Sequence, residues 1–223
     1  MNTLRRPSHH PSEALLVAYA GGSLREAESL AVCTHLAFCP ECRRLAAAAE
    51  AIGGALLDEI DAAPVSADGL KAVLARLEHE AAEAPVRTAP ARGAAAMPGL
   101  PTALSGYVEA ALRAGGWRMA APGVQQLRLK TGGGAQARLL RLKPGTPLPE
   151  HSHHGTELTL VLSGSYSDSL GRFGRGDMAE LDDSITHRPV VDREAECVAL
   201  VVTDAPLKFR GLMARLAQPF IGI

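Results

Sequence analysis

Two hydrophobic patterns divide the 223-residue chain. From Ser12 to about Ala82 the sequence is rich in Ala, Leu and Glu, with apolar residues at helical spacing. Later the apolar residues fall in short runs of strand length, separated by Gly and Pro: VQQLRL, ARLLRL, TELTLVLS, DMAEL and ECVALVVT. The pattern predicts two domains, an all-α helical bundle followed by an all-β barrel or double-sheet jelly roll.

The start of the α-helical part carries helix punctuation. Ser12 can cap a first helix, which we expect to end at Gly21 and Gly22, where left-handed backbone is easily adopted. Ser23 followed by Glu26 forms a capping-box pattern. The pattern predicts a second helix that opens there and runs towards Leu36.

Two further helices are predicted. Pro40 suits the first turn of a third helix, and Gly53 and Gly54 should end or kink it. A fourth follows Ser66 and carries an apolar stripe at helical spacing. The stripe consists of Leu70, Val73, Leu74 and Leu77. Such a stripe is normally a core face. The DAAPVSADG segment before it is long enough for the helix to separate from the others, so we assign the stripe to a protein partner.

A tether separates the two parts. Residues 83–103 combine Pro, Ala and Gly with little apolar periodicity, which is typical of a semi-extended linker. We therefore predict domains at 1–83 and 104–223 with a linker at 84–103. The second domain should begin with a short helix over about 104–114, ahead of the strands.

Composition limits the function. The formal net charge is −1, which argues against nucleic acid as a direct partner and favours a protein or a small molecule. The sequence lacks a run of about 18 apolar residues, so we expect no membrane span and a cytoplasmic location. Two of the four cysteines, Cys39 and Cys42, form a CxxC pair, which in a reducing compartment is a metal site or a redox pair.

The first candidate metal site surrounds this CxxC pair. His35 and Cys39 lie four residues apart, so they project to one face, and Cys42 follows at the next helix start. His10 can supply a fourth donor if the first two helices pack antiparallel. Two thiolates and two imidazoles are typical of a closed, structural Zn²⁺ site. The other interpretation is a capping histidine beside buried or redox-active cysteines.

The residues around this candidate site are similar to those of a known protein family. The segment HPSEALLVAYAGGSLREAESLAVCTHLAFCPECR resembles the zinc-containing anti-sigma domain, marked by a His followed after about 25 residues by HxxxCxxC. The resemblance implies His10, His35, Cys39 and Cys42 as zinc ligands. It also implies a helical domain that wraps an extracytoplasmic-function (ECF) sigma factor in a 1:1 complex and blocks its access to core RNA polymerase. His9 competes with His10, whereas Cys33 lies outside the spacing and is expected in the core.

The second candidate metal site lies among the strands. The segment from Gly145 to Gly164 matches the pattern G-x5-H-x-H-x3-E-x6-G of the first cupin motif, with His151, His153 and Glu157 as donors. In a strand, the two histidines point to the same side. His187 stands where the motif's last ligand belongs, ten residues after Asp177. The other interpretation is a run of surface histidines, and we assign that role to His154.

The two motifs together resemble the ChrR family over nearly the whole chain. This implies a C-terminal cupin domain, a double-stranded jelly-roll barrel. It further implies Zn²⁺ in both sites and release of the sigma factor under oxidative stress such as singlet oxygen. The cupin would be dispensable for inhibition but required for the response. The chain would then be a negative regulator of transcription and not an enzyme.

Two alternatives remain open from the residues. The barrel site could serve a metal-dependent dioxygenase or isomerase with a zinc-stabilised interaction module, because Fe²⁺, Mn²⁺, Ni²⁺ and Zn²⁺ all accept such ligands. The second alternative is a redox switch at Cys39 and Cys42, since zinc-bound thiolates can be oxidised with loss of metal.

Overall fold

Helices precede strands along the chain, as predicted. The structure is a computed structural model that describes residues 6–83, 99–152, 154–205 and 208–209. The helices are α1 (Glu13–Ala20), α2 (Glu26–Leu36), α3 (Pro40–Asp58), α4 (Gly69–Glu83) and α5 (Thr102–Arg113). The strands are β1 (Arg118–Ala121), β2 (Val124–Leu129), β3 (Gln136–Leu142), β4 (His151–Ser152), β5 (Glu157–Ser163), β6 (Ser165–Asp168), β7 (Gly171–Gly174), β8 (Met178–Leu181), β9 (Val190–Val191), β10 (Cys197–Thr203) and β11 (Lys208–Phe209). The predicted fold class is confirmed.

The predicted ends of α1 and the start of α3 are confirmed. Ser12 is the N-cap of α1, where its Oγ accepts a hydrogen bond of 3.1 Å from the Leu15 N–H. Gly21 is the C-cap, and Gly22 after it has φ +67°, a left-handed value that favours glycine. Pro40 occupies the first turn of α3. Local sequence therefore decided these boundaries.

Two predicted helix boundaries were wrong. The N-cap of α2 is Arg25, whose backbone N–H donates to Glu28 Oε2 at 3.0 Å, so the capping box lies two residues later than Ser23 and Glu26. Ser23 Oγ instead donates to the backbone oxygen of Ala18, in the preceding turn. The α3 helix continues through residues 53–54 to Asp58. A glycine costs a helix only about 1 kcal/mol, and alanines and leucines flank these two.

The strands form a sandwich with two inner faces. The largest sheet has the order β1-β2-β3-β10-β5-β8, a second has the order β7-β6-β9, and β4 pairs with β11. The neighbours in these sheets are antiparallel. Leu158 and Leu160 on β5 face a core shared with α2 and α5, whereas Val161 packs with Tyr166 and Phe173 of the second sheet. Alternate residues of β5 thus point to the helices and to the barrel interior.

The helical part has a small core of its own and shares a larger one with the barrel. Leu16, Val32, Cys39 and Cys42 form the small cluster. The opposite side of α2 buries residues in the core that contains α5 and the large sheet; these are Ala27, Leu30 and Ala31. The α4 helix differs, because all its side chains from Leu70 to His79 are exposed. The domain division remains a prediction, and residues 84–98 of the predicted linker lie outside the described residues.

Two candidate metal centres

The first centre, the helical cluster, joins His10, His35, Cys39 and Cys42. His10 precedes α1, His35 is in the last turn of α2, and the cysteines occupy the N-cap and first turn of α3. One donor atom from each lies within 4.8 Å of the others. His10 Nδ1 is 3.4 Å from Cys39 Sγ and 3.3 Å from Cys42 Sγ, and His35 Nε2 is 3.3 Å from Cys42 Sγ. Three segments of chain therefore converge on one point.

The chemistry of these donors fits a bound cation. His35 Nδ1 lies 2.8 Å from the backbone oxygen of Gly176, and a carbonyl only accepts, so Nδ1 carries the proton and Nε2 presents its lone pair to the cluster. Burial lowers the pKa of His35 to about 4 and raises the pKa of the Cys42 thiol to about 12. A buried thiolate requires a compensating positive charge, which Zn²⁺ supplies.

The neighbouring residues His9 and Cys33 lie elsewhere. His9 Nδ1 is 3.6 Å from Asp177 Oδ2, and its ring packs against Phe173 with 4.2 Å between centroids. The structure thus brings His10, and not its competitor His9, to the cysteines. Cys33 is half-buried and outside the cluster, so the expectation that it lies in the core was wrong.

The second centre, the barrel cluster, joins His151, Glu157 and His187. His151 is on β4, Glu157 begins β5, and His187 lies between β8 and β9. All three are buried, and one donor atom from each lies within 4.8 Å of the others. The remaining candidate from the sequence, His153, lies outside the described residues. The structure therefore brings together three of the four residues that the motif indicates.

The two ring nitrogens that meet in the barrel cluster both present lone pairs. His151 Nδ1 is 2.9 Å from the backbone oxygen of Pro149, and His187 Nδ1 is 2.8 Å from Asp168 Oδ2. Both partners accept, so each Nδ1 is protonated, and the bare Nε2 atoms face each other at 3.1 Å. Burial also lowers the pKa of His151, which opposes protonation of Nε2. Such a pair is stabilised by a shared cation, so the residues fit a metal ion.

Asp168 was missed from the sequence. It ends β6, and its carboxylate accepts from His187 Nδ1, which fixes the ring so that Nε2 faces the barrel cluster. A lone Asp nineteen residues before a histidine carries no local signal. Only the pairing of β6 with β9 brings the two segments together.

A cavity of about 270 Å³ opens beside the barrel cluster. His151, Glu157 and His187 form part of its wall, and most of the rest consists of Ala, Leu, Val and Pro side chains. The cavity also contains Arg138, which is buried. The barrel cluster thus borders space for a small molecule, whereas the helical cluster consists of four protein donors, of which three are buried and His10 is exposed.

The β7–β8 turn, residues 174–177, joins the barrel to the helical cluster. The Gly176 carbonyl accepts from His35, and Asp177, which is fully buried, accepts from the backbone N–H groups of His9 at 3.1 Å and Gly174 at 2.8 Å. Gly176 has φ +89°, and a Cβ there would lie 2.9 Å from Pro7 and 3.0 Å from Phe38. The contact of this turn with the helical cluster was not predicted from the sequence.

The α4 stripe is exposed. Leu70 and Leu74 have 72% and 50% of their surface accessible, and Val73 and Leu77 lie in between. The second half of α3 exposes further apolar side chains, including Ile52 and Leu56. None of the described helices is both long and apolar enough to cross a membrane.

Comparisons with known proteins cover nearly the whole chain. A family profile described as the ChrR cupin-like domain matches residues 108–206. The anti-sigma-E factor ChrR of Cereibacter sphaeroides is 45% identical over 215 residues, which is 96% of this chain and 98% of that protein.

A solved structure agrees with the sequence comparison. The crystal structure of Rhodobacter sphaeroides SigE in complex with the anti-sigma ChrR matches with 42% identity and a TM-score of 0.73, over 88% of this chain and 98% of that one. A relative this similar over its full length includes both the helices and the barrel. The chain therefore belongs to the ChrR family of anti-sigma factors.

Proposed function

We propose that this protein binds an ECF sigma factor in a 1:1 complex and keeps it from core RNA polymerase. The complex would form in the cytoplasm, where RNA polymerase operates. The full-length similarity to an anti-sigma factor solved with its sigma factor carries this proposal. The proposal includes no direct contact of this protein with nucleic acid or with a membrane.

The exposed apolar residues of α3 and α4 are the proposed sigma-binding surface. An apolar stripe at i, i+3, i+4 and i+7 suits a groove on another protein. Apolar patches of this kind rarely stay open to solvent on a soluble protein without a partner. Leu74 lies in the middle of the α4 stripe, and Ile52 is one of the exposed apolar residues of α3. We therefore expect both to contact the sigma factor near the centre of the interface.

We propose one Zn²⁺ in each centre. In the helical cluster His10, His35, Cys39 and Cys42 would fill all four positions of a tetrahedral site, so the ion would cross-link the start of α1, the end of α2 and the start of α3. In the barrel, His151, His153, Glu157 and His187 would hold the second ion. When bound there, it supplies a positive charge and a Lewis acid at the wall of the cavity.

The barrel is the proposed sensor of oxidative stress such as singlet oxygen. A signal can change sigma binding only if it interacts differently with the bound and the released state. The β7–β8 turn of the barrel offers a route to the helical cluster, because its Gly176 carbonyl accepts from His35 and its Asp177 carboxylate accepts from the His9 N–H. Movement of this turn would alter the support of the helical cluster.

Replacement of Leu74 by Glu tests the proposed surface. A charge in the centre of an apolar interface should weaken sigma binding by about 100-fold or more, because the carboxylate would lose its hydration without gaining a partner of opposite charge. The residue is exposed in the free chain, so the fold should be unaffected. Binding to the cognate sigma factor and sigma-dependent transcription are the measurements.

Met119→Glu is the matched control. Met119 is an exposed apolar residue on β1 of the barrel, outside the proposed surface. It should leave sigma binding unchanged. Equal affinity of the Leu74 and Met119 variants would remove α4 from the interface.

A further inference from the structure

Arg138 is a buried cation inside the barrel. It is 3% exposed and lies on β3, opposite Val201 of β10, which in turn is opposite Thr159 of β5. Its neighbours Ala137 and Leu139 belong to the core on the helical side of the sheet. Since side chains alternate along a strand, Arg138 points into the barrel, on the same face as Glu157 and Thr159.

The guanidinium stays charged in this position. Burial, followed by repulsion from Arg128, lowers its pKa to about 10, which is still well above neutrality. A guanidinium has five N–H donors in a planar fork that matches a carboxylate. One of its nitrogens donates to Gln136 Oε1 at 2.7 Å. Arg138 thus brings a fixed positive charge to the wall of the cavity.

The character of the cavity changes along β3 from polar to apolar. Arg138, Thr159 and Glu157 occupy adjacent rows of the inner face. Leu140 and Leu142 follow Arg138 at steps of two residues, about 7 Å each, on the same face and also line the cavity. A ligand with an anionic end and a short apolar body matches this gradient.

Charge at the polar end favours an anion. Arg138 contributes +1, Glu157 and the buried Asp168 contribute −1 each, and a divalent metal ion in the barrel cluster would add +2. The excess is positive, and burial strengthens the attraction because the local dielectric constant is low. The volume, about 270 Å³, lies near the lower limit of small-molecule sites, about 300 Å³.

We infer that the barrel cavity binds a small monocarboxylate, with its carboxylate held by Arg138 beside the barrel cluster and its apolar body along Leu140 and Leu142. This deepens the proposed sensor role, on which it rests, by naming the class of ligand. Arg138 is the residue that selects the charged group.

The first test compares two ligands of the same shape on the purified full-length protein. Hexanoate and hexanamide have equal apolar bodies but differ in head-group charge. Isothermal titration calorimetry should give one site for hexanoate with a dissociation constant below about 1 mM, and binding of hexanamide about tenfold weaker or more. Equal binding of the two, or no saturable binding of hexanoate, would overturn the proposal without the need for a variant.

The second test identifies the residue. Arg138→Gln should weaken the binding of hexanoate at least tenfold and change the binding of hexanamide little. Arg138→Lys should retain part of the preference for hexanoate over hexanamide. Arg128→Gln is the matched control, because Arg128 is the Cα partner of Arg138 on β2 but is exposed and outside the cavity wall. An equal loss in the Arg128 variant, or none in the Arg138→Gln variant, would contradict the assignment.

Sigma binding is measured in parallel on the same samples. If hexanoate fails to bind while the full chain still holds its sigma factor, the ligand proposal fails and the anti-sigma proposal stands. Loss of sigma binding by the unaltered protein would instead contradict the proposed function.

Discussion

The helical cluster and the barrel cluster differ in what surrounds the donor atoms. The helical cluster has two imidazoles and two thiols, and among the described residues the small core around its cysteines adds two further buried apolar residues, Leu16 and Val32. The barrel cluster has two imidazoles and a carboxylate on a rigid sheet, with a cavity on one side. The first is closed by its own ligands, whereas the second borders space for another molecule.

The difference indicates separate roles for the two ions. A closed set of four donors in a small core contributes mainly to folding, because the ion replaces apolar contacts that so few residues cannot supply. The barrel has an interior core of its own and shares the larger core with α2 and α5, so it does not depend on an ion in the same way. We therefore expect loss of the helical ion to abolish structure and loss of the barrel ion to alter response.

Removal of the helical metal should have the largest effect. Cys39→Ser or His35→Ala should lose one metal equivalent and unfold α1 to α3, since structural zinc supplies about 10–16 kcal/mol of apparent binding free energy in small domains. Helicity by circular dichroism, metal content and sigma binding are the measurements.

Cys33→Ser is the control for this prediction. Cys33 lies on α2, as His35 does, but outside the cluster. It should keep both metal equivalents and full sigma inhibition. Cys39 variants that retain helicity and inhibition would show that the two clusters do not differ in the way we infer.

Loss of the barrel ligands should have an intermediate effect. His151→Ala combined with Glu157→Gln removes two donors and should reduce metal content from two equivalents to one, with helicity and sigma binding retained. Induction by oxidants should fall in cells. His154→Ala is the control, because His154 is exposed and outside the cluster. Unchanged metal content in the double variant would mean that the barrel cluster is not a metal site.

Asp177→Asn should have the smallest effect, confined to the contact between the β7–β8 turn and the segment that enters α1. The side chain accepts from the N–H groups of His9 and Gly174, and loss of its charge should cost about 1–3 kcal/mol. We expect faster release of the helical metal to a chelator, because His10 follows His9 directly. Release at the original rate would indicate that the turn does not support the helical cluster. The exposed Asp183→Asn serves as the control.

The contact through the β7–β8 turn also bears on the predicted division into two domains. A chain cut after residue 83 would expose Ala27, Leu30 and Ala31 of α2, which the sequence alone did not place against a barrel. Inhibition by this fragment, as the family resemblance implies, therefore requires that the helical metal hold α1 to α3 together without the shared core.

Local spacing by itself determined much of this protein. His35, Cys39 and Cys42 lie within one helix end and one helix start, so helical pitch sets their separation whatever the rest of the chain does. The five strands predicted from apolar runs all occur, because short apolar runs bounded by turn residues are typical of strands. The exposed α4 stripe was also visible in the sequence as an apolar face without an adjacent partner segment.

Contacts between distant segments were decided only by the tertiary structure. Two adjacent histidines look alike in the sequence, and the direction in which the chain enters α1 turns His10 to the cysteines and His9 to Asp177. The approach of Asp168 to His187 and of Gly176 to His35 depends on the order of strands in the sheets. Arg138 looks like any strand arginine until register and sheet packing place its side chain inside the barrel, because strand periodicity separates two faces but does not say which one is buried.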